Sequence, residues 1–168
     1  MTRMNSFYNL QPSLSAVAIK PTGQMTIASS EGSRELIMIV DDEDFVTLLA
    51  ERVLREQGYR VITARNGFQA LDLFKKMQSE LQLVILDFVM PIMGGGEVLA
   101  EMLKINPEVP VLLTSGFTSE VRLKELLSKQ LCGFIPKPLA QKKLLHSVRS
   151  TIDAARAEGT PASRLRSK

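Results

Sequence analysis

From Leu36 onward the chain alternates short apolar runs with longer amphipathic stretches, and this alternation restricts the fold more than any other feature. The runs are Leu36–Val40, Tyr59–Thr63, Leu83–Leu86, Val109–Leu113 and Gly133–Ile135. Each is too short for a helix and fits a buried strand. The intervening stretches carry apolar residues at helical spacing. Val46, Leu49, Val53 and Leu54 form one stripe that stops before Gly58, and Ala70, Leu71, Phe74 and Met77 form the next. Val98, Leu99, Met102, Leu103 and Ile105 precede Pro107; Val121 to Leu131 and Leu144 to Ile152 supply the last two. Five strand–helix units in alternation predict an α/β fold: a doubly wound, five-stranded parallel sheet with helices on both faces.

The flanks read differently. Residues 1–33 are rich in Ser, Thr, Asn and Gln without period and are expected to be a disordered extension. Residues 34–155 form the expected domain, and residues 156–168 a basic disordered tail containing Arg156, Arg164, Arg166 and Lys168. That tail accounts for the net charge of +3, so the domain itself is balanced and no nucleic-acid partner is expected. No apolar run approaches the ~20 residues that span a bilayer, and no secretory signal opens the sequence. The single cysteine, Cys132, excludes a disulfide framework, so a cytoplasmic protein without a membrane partner is expected.

In open parallel sheets ligands bind at the carboxyl ends of the strands. The first apolar run ends in Asp41 and Asp42, the third in Asp87, the fourth in Thr114 and Ser115, and the fifth in Lys137. Each alone has an ordinary explanation as a cap, a turn residue or a solvated lysine. Together they place several carboxylates in one crevice, where their repulsion calls for protons or a cation. Oxygen ligands suit Mg²⁺. A carboxylate can attack phosphorus, and Mg²⁺, an ammonium and a hydroxyl can neutralise the phosphoryl oxygens.

Four segments in order resemble one family: Ile39-Val40-Asp41-Asp42-Glu43, Leu86-Asp87-Phe88-Val89-Met90-Pro91, Leu113-Thr114-Ser115-Gly116 and Phe134-Ile135-Pro136-Lys137-Pro138. They are similar to the response regulator receiver domain of two-component signalling. The resemblance implies a flavodoxin-like sheet of order 2-1-3-4-5 with Asp87 as phosphoacceptor. It implies Mg²⁺ on Asp42, Asp87 and the backbone carbonyl of Val89, with Asp41 assisting. Thr114 and Lys137 would hold the phosphoryl oxygens, Phe134 would sit at the aromatic switch position beside Thr114, and Lys137-Pro138 would be cis. The implied partners are a histidine kinase or histidine phosphotransfer protein and a downstream protein that reads the phosphorylated state, with no output domain in the chain itself. One departure stands out: Met93-Gly94-Gly95-Gly96 replaces the family's Met-Asp-Gly, which leaves the start of the third helix open.

Two other chemistries fit the sequence less well. A haloacid-dehalogenase-like phosphatase would use Asp42 and Asp44, but it needs acids soon after Lys137 and gives Asp87 no role. A flavodoxin-like nucleotide binder needs amide donors in its first loop, where Asp41-Asp42-Glu43-Asp44 would repel phosphate. A degenerate receiver serving as scaffold would not need the Asp, Thr and Lys set. His146 reads as a surface residue of the last helix and Cys132 as a small packing residue.

Overall fold

Leu36–Val40, apolar at every position, forms β1, a fully buried interior strand of the sheet. The computed structural model describes residues 35–116 and 133–159. After β1 come α1 (Asp44–Glu56), β2 (Arg60–Ala64), α2 (Gly67–Met77), β3 (Leu81–Asp87), α3 (Gly95–Ile105), β4 (Val111–Ser115), β5 (Gly133–Pro136) and α4 (Gln141–Gly159). The strands pair in parallel, as the alternating sequence pattern predicts, and their order β2-β1-β3-β4-β5 is the one the family resemblance implies. The helix expected over Val121–Leu131, the extension 1–33 and Cys132 lie outside the described residues.

Side chains alternate across the sheet, so each strand feeds two cores. Met38, Val40, Val84, Leu86, Val111 and Leu113 point to the side that α2 and α3 cover with Phe74, Val98 and Met102. Ile37, Ile39, Leu83, Ile85, Leu112 and Ile135 point to the other side, where α1 and α4 bring Val53, Leu54, Leu144 and Val148. The outer strand β2 has an exposed Arg60 and only two buried residues, as suits an edge.

Local chemistry fixes the helix ends. At the end of α1, Gly58 takes φ 85°, its N–H bonds to the Arg55 carbonyl and the Tyr59 N–H to the Leu54 carbonyl. This paired closure needs the left-handed conformation that glycine adopts without penalty. Asn66 caps α2 by accepting from the Gln69 N–H. The glycine run also finds its place. Gly94 is the N-cap of α3, and the Glu97 carboxylate accepts its N–H at 3.0 Å. A Cβ on Gly95 would stand 2.1 Å from the Asp87 carbonyl oxygen, so α3 meets the end of β3 only through a glycine.

Several boundaries differ from the sequence expectation. β2 begins at Arg60 rather than Tyr59, because Tyr59 closes α1. β3 begins at Leu81, with a register shift against β1 between Leu36 and Ile37. β4 begins at Val111, after Pro110, which has no N–H for the ladder, and it includes Thr114 and Ser115. α4 runs through Gly159, past the boundary placed at Ala155, and Arg156 on it pairs with Glu35.

Candidate phosphoacceptor pocket

Parallel registration carries the polar residues into one row. Val40 pairs with Leu86, Asp87 with Thr114, and Thr114 with Ile135. Residues in register share a face, so Asp87 and Thr114 emerge side by side at the carboxyl edge. The ladder continues one bond past the strands: the Asp41 N–H donates to the Ala64 carbonyl at 3.1 Å, and the Lys137 N–H to the Ser115 carbonyl at 3.0 Å. Asp41 and Lys137 therefore have backbones as firmly held as the strands themselves. The Lys137-Pro138 peptide is cis.

The side chains converge on Lys137. Its Nζ donates to Asp41 Oδ2 at 2.9 Å, Glu43 Oε1 at 2.8 Å and Asp87 Oδ2 at 2.8 Å. The other carboxylate oxygens are also engaged: Asp41 Oδ1 accepts the Glu43 N–H at 2.9 Å, and Asp87 Oδ1 the Val89 N–H at 3.3 Å. Asp41, Asp87 and Thr114 are buried, with 2%, 3% and 1% of their surface exposed. Such burial of charge is sustained only by pairing.

The electrostatics follow from these contacts. Burial pushes the Asp41 carboxyl above its usual range, assisted by the neighbouring Asp87 charge and opposed by Lys137 and the Glu43 N–H. Burial draws the Lys137 ammonium down, but its hydrogen bonds to Asp87, Glu43 and Asp41 together outweigh this and raise it above the ordinary lysine range.

The structure brings together Asp41, Asp87 and Lys137 of the sequence-predicted set, with Thr114 in register beside Asp87. It does not bring in Asp42, which is exposed; Glu43 stands in the acidic group instead. The cause is a local turn. Asp41 Oδ1 captures the N–H two residues on, an Asx turn that swings Glu43 back over the crevice. Sequence offered only a row of adjacent acids there, with no sign of which would turn inward. Val89 is 53% exposed and its N–H is committed to Asp87. Phe134 is half-buried, pairs in register with Leu113, and packs on the α2–α3 side of the sheet, one residue out of phase with Thr114. His146 is exposed on α4.

The donor set fits a hard cation. Oxygens of Asp41, Glu43 and Asp87 all lie within 4.8 Å of one another. Carboxylate oxygens at this spacing, two of them buried, suit Mg²⁺ far better than a soft metal.

A doubly wound sheet with an acidic pocket and a lysine at its carboxyl edge defines the receiver class of signalling domain. The sequence profile of the response regulator receiver domain matches residues 37–149, and the chain belongs to that family. Receiver domains are phosphoacceptor signalling modules of two-component systems rather than classical enzymes. Chemotaxis protein CheY of Treponema pallidum is 30% identical over 133 residues, 79% of this chain and 90% of that protein. Sensor kinase CckA of Brucella abortus is 32% identical over 117 residues, 70% of this chain but 12% of the kinase, so the chain spans a small part of that relative. Among solved structures, the CheX-CheY-BeF3-Mg+2 complex from Borrelia burgdorferi aligns with a TM-score of 0.66 and 30% identity, covering 68% of this chain and 87% of that one. Among the described residues no helix is long and apolar enough to cross a membrane.

Proposed function

We propose that Asp87 accepts a phosphoryl group from the phosphohistidine of a histidine kinase or phosphotransfer protein, and that the phosphorylated state is read by a downstream protein. The observation that carries this is the position of Asp87, buried at the strand end with Lys137 Nζ 2.8 Å from its carboxylate. One Asp87 oxygen forms the new P–O bond as the P–N bond of the donor breaks, and the electron pair leaves on the imidazole. Mg²⁺, when bound, supplies charge neutralisation at the phosphoryl oxygens. Asp41, Glu43 and Asp87 would hold it; the family pattern adds Asp42 and the Val89 carbonyl. Lys137 provides a fixed cation for the phosphoryl group, and Thr114 lies in register to donate its hydroxyl.

Phe45, Val89 and Ile92, at the start of α1 and in the loop after β3, are exposed apolar residues on loops and helix ends at this edge of the sheet. A protein donor must cover that edge to reach a buried carboxylate, which gives these residues a docking role. On the output side, Phe134 is the residue that responds to Thr114. Because the two are out of phase on paired strands, the response passes through the β4–β5 backbone rather than by one side chain filling the other's space.

The deciding experiment is incubation with acetyl phosphate and Mg²⁺, read by intact mass. Wild type should gain one phosphoryl group that hydroxylamine removes, and Asp87→Ala should gain none. A hydroxylamine-stable adduct, or an adduct retained in Asp87→Ala, would show that the acceptor lies elsewhere.

A further inference from the structure

The Lys137 ammonium has three protons, and the carboxylates of Asp41, Glu43 and Asp87 accept from it at 2.9, 2.8 and 2.8 Å. These are the same side chains whose oxygens cluster tightly enough for a metal ion. A divalent cation and an ammonium compete for such a set, because two positive charges on shared oxygens repel strongly. Lys137 is thus the resident counter-ion of the carboxylates, and a metal ion must displace its ammonium from the oxygens they share, not from the pocket.

The carboxylates are not equivalent in that exchange. The Asp41 and Asp87 side chains are 3% and 4% exposed, and each is pinned at its other oxygen by a backbone N–H. The Glu43 side chain is 60% exposed and reaches in from solvent. Its charge acts in two opposing ways: it attracts an incoming metal ion, and it strengthens the hold on the competing ammonium.

We propose that Glu43 is a positioning residue acting through Lys137: it helps to hold the ammonium over Asp87 in the ion-free pocket and so raises the concentration of divalent cation needed to load the site. This rests on the reading of the pocket as a Mg²⁺-dependent phosphoacceptor. The sequence pattern gave Glu43 no role.

The test is a double-mutant cycle on the full chain, with Mg²⁺ affinity read from amide NMR shifts around Asp87. The variants are Glu43→Gln, Lys137→Met and their combination, with Lys137→Gln as a second background should Lys137→Met fold poorly. Lys137→Met should bind Mg²⁺ more tightly than wild type. Glu43→Gln should weaken Mg²⁺ binding in the Lys137→Met background, where only the lost attraction counts. In wild type it should improve affinity, so that the two effects have opposite sign and differ by roughly threefold or more, and an unchanged wild-type affinity counts against the proposal. The Lys137 ammonium resonance, slowed in exchange in the ion-free wild type, should broaden in Glu43→Gln. An equal effect of Glu43→Gln in both backgrounds, or looser Mg²⁺ binding on loss of Lys137, overturns the proposal while leaving the phosphoacceptor reading intact if acetyl phosphate still labels Asp87. Absence of both Mg²⁺ binding and labelling in wild type overturns both.

Discussion

Lys137 Nζ lies 2.8 Å from Asp87 Oδ2 although 50 residues separate the two in sequence. The contact also joins two opposing demands, since buried carboxylates at Asp41 and Asp87 repel one another and Lys137 is the cation that offsets them. Lys137→Ala should therefore destabilise the ion-free protein, on the order of 3 kcal/mol for a buried pair that loses one partner. Asp87→Ala should be neutral or stabilising, because Lys137 keeps Asp41 and Glu43. Urea midpoints without divalent ions measure both, and equal losses would contradict this account.

The same pocket sets a pH dependence. A carboxyl raised above its unfolded value binds more protons when folded, so it lowers stability as pH rises from its ordinary value, near 3.8, through the folded one. Asp41 should act this way, and Asp41→Asn should abolish that part of the decline. Lys137 acts at the alkaline end. Its folded value is raised, so its contribution is fully present below its ordinary value near 10.5 and is lost as pH climbs through the higher one. Denaturation curves across pH, for wild type and Asp41→Asn, check the first; Lys137→Met removes the second.

The row Asp41, Asp87, Thr114 and Lys137 was legible in sequence because it follows from strand periodicity and the rule that ligands gather at carboxyl strand ends. Glu43 was not legible, because the choice between it and Asp42 is made by an Asx turn that periodicity does not encode. The strand limits shifted for a similar reason. Pro110 and the register shift near Leu36 become decisive only when a neighbouring strand is in place. The phase difference between Thr114 and Phe134 could have been counted from β4 and β5, but only once their register was known.

The glycine run separates backbone approach from helix propensity. Gly95→Ala should be strongly destabilising, because its Cβ would stand 2.1 Å from the Asp87 carbonyl oxygen and 2.8 Å from Phe88 Cα. Gly96→Ala meets only the Phe88 ring, at 3.4 Å, and should gain up to about 1 kcal/mol from helix propensity. Thermal unfolding of the two variants reads the contrast directly.

At the opposite end of the sheet, Arg149 on α4 holds both oxygens of the buried Glu35 and both of Asp153. Arg149→Ala should destabilise by about 2 kcal/mol, the range for hydrogen bonds to charged groups. Its hydrogen bond holds Asp153 below the usual carboxylate range, so that part of the contribution is present above the ordinary value near 3.8 and is lost as pH falls through the lowered one. A cycle with Glu35→Ala should show coupling, since the two share their bonds. Additive losses in urea would mean that the contact contributes nothing of its own.

Ile92 offers the sharpest division between stability and docking. It is a β-branched residue at φ 71°, in the loop between Asp87 and α3, and it is 90% exposed. Left-handed backbone costs an ordinary residue about 1–2 kcal/mol, and no burial offsets it here. Ile92→Gly relieves the crowding but adds chain entropy in the unfolded state, so a net gain of about 1 kcal/mol is expected. If the side chain meets the phosphodonor, the same change should slow phosphotransfer from a protein phosphohistidine several-fold. Labelling by acetyl phosphate, which needs no docking surface, should keep its wild-type rate. Parallel time courses with the two donors give the answer, and equal slowing with both would place the defect in the pocket rather than at the surface.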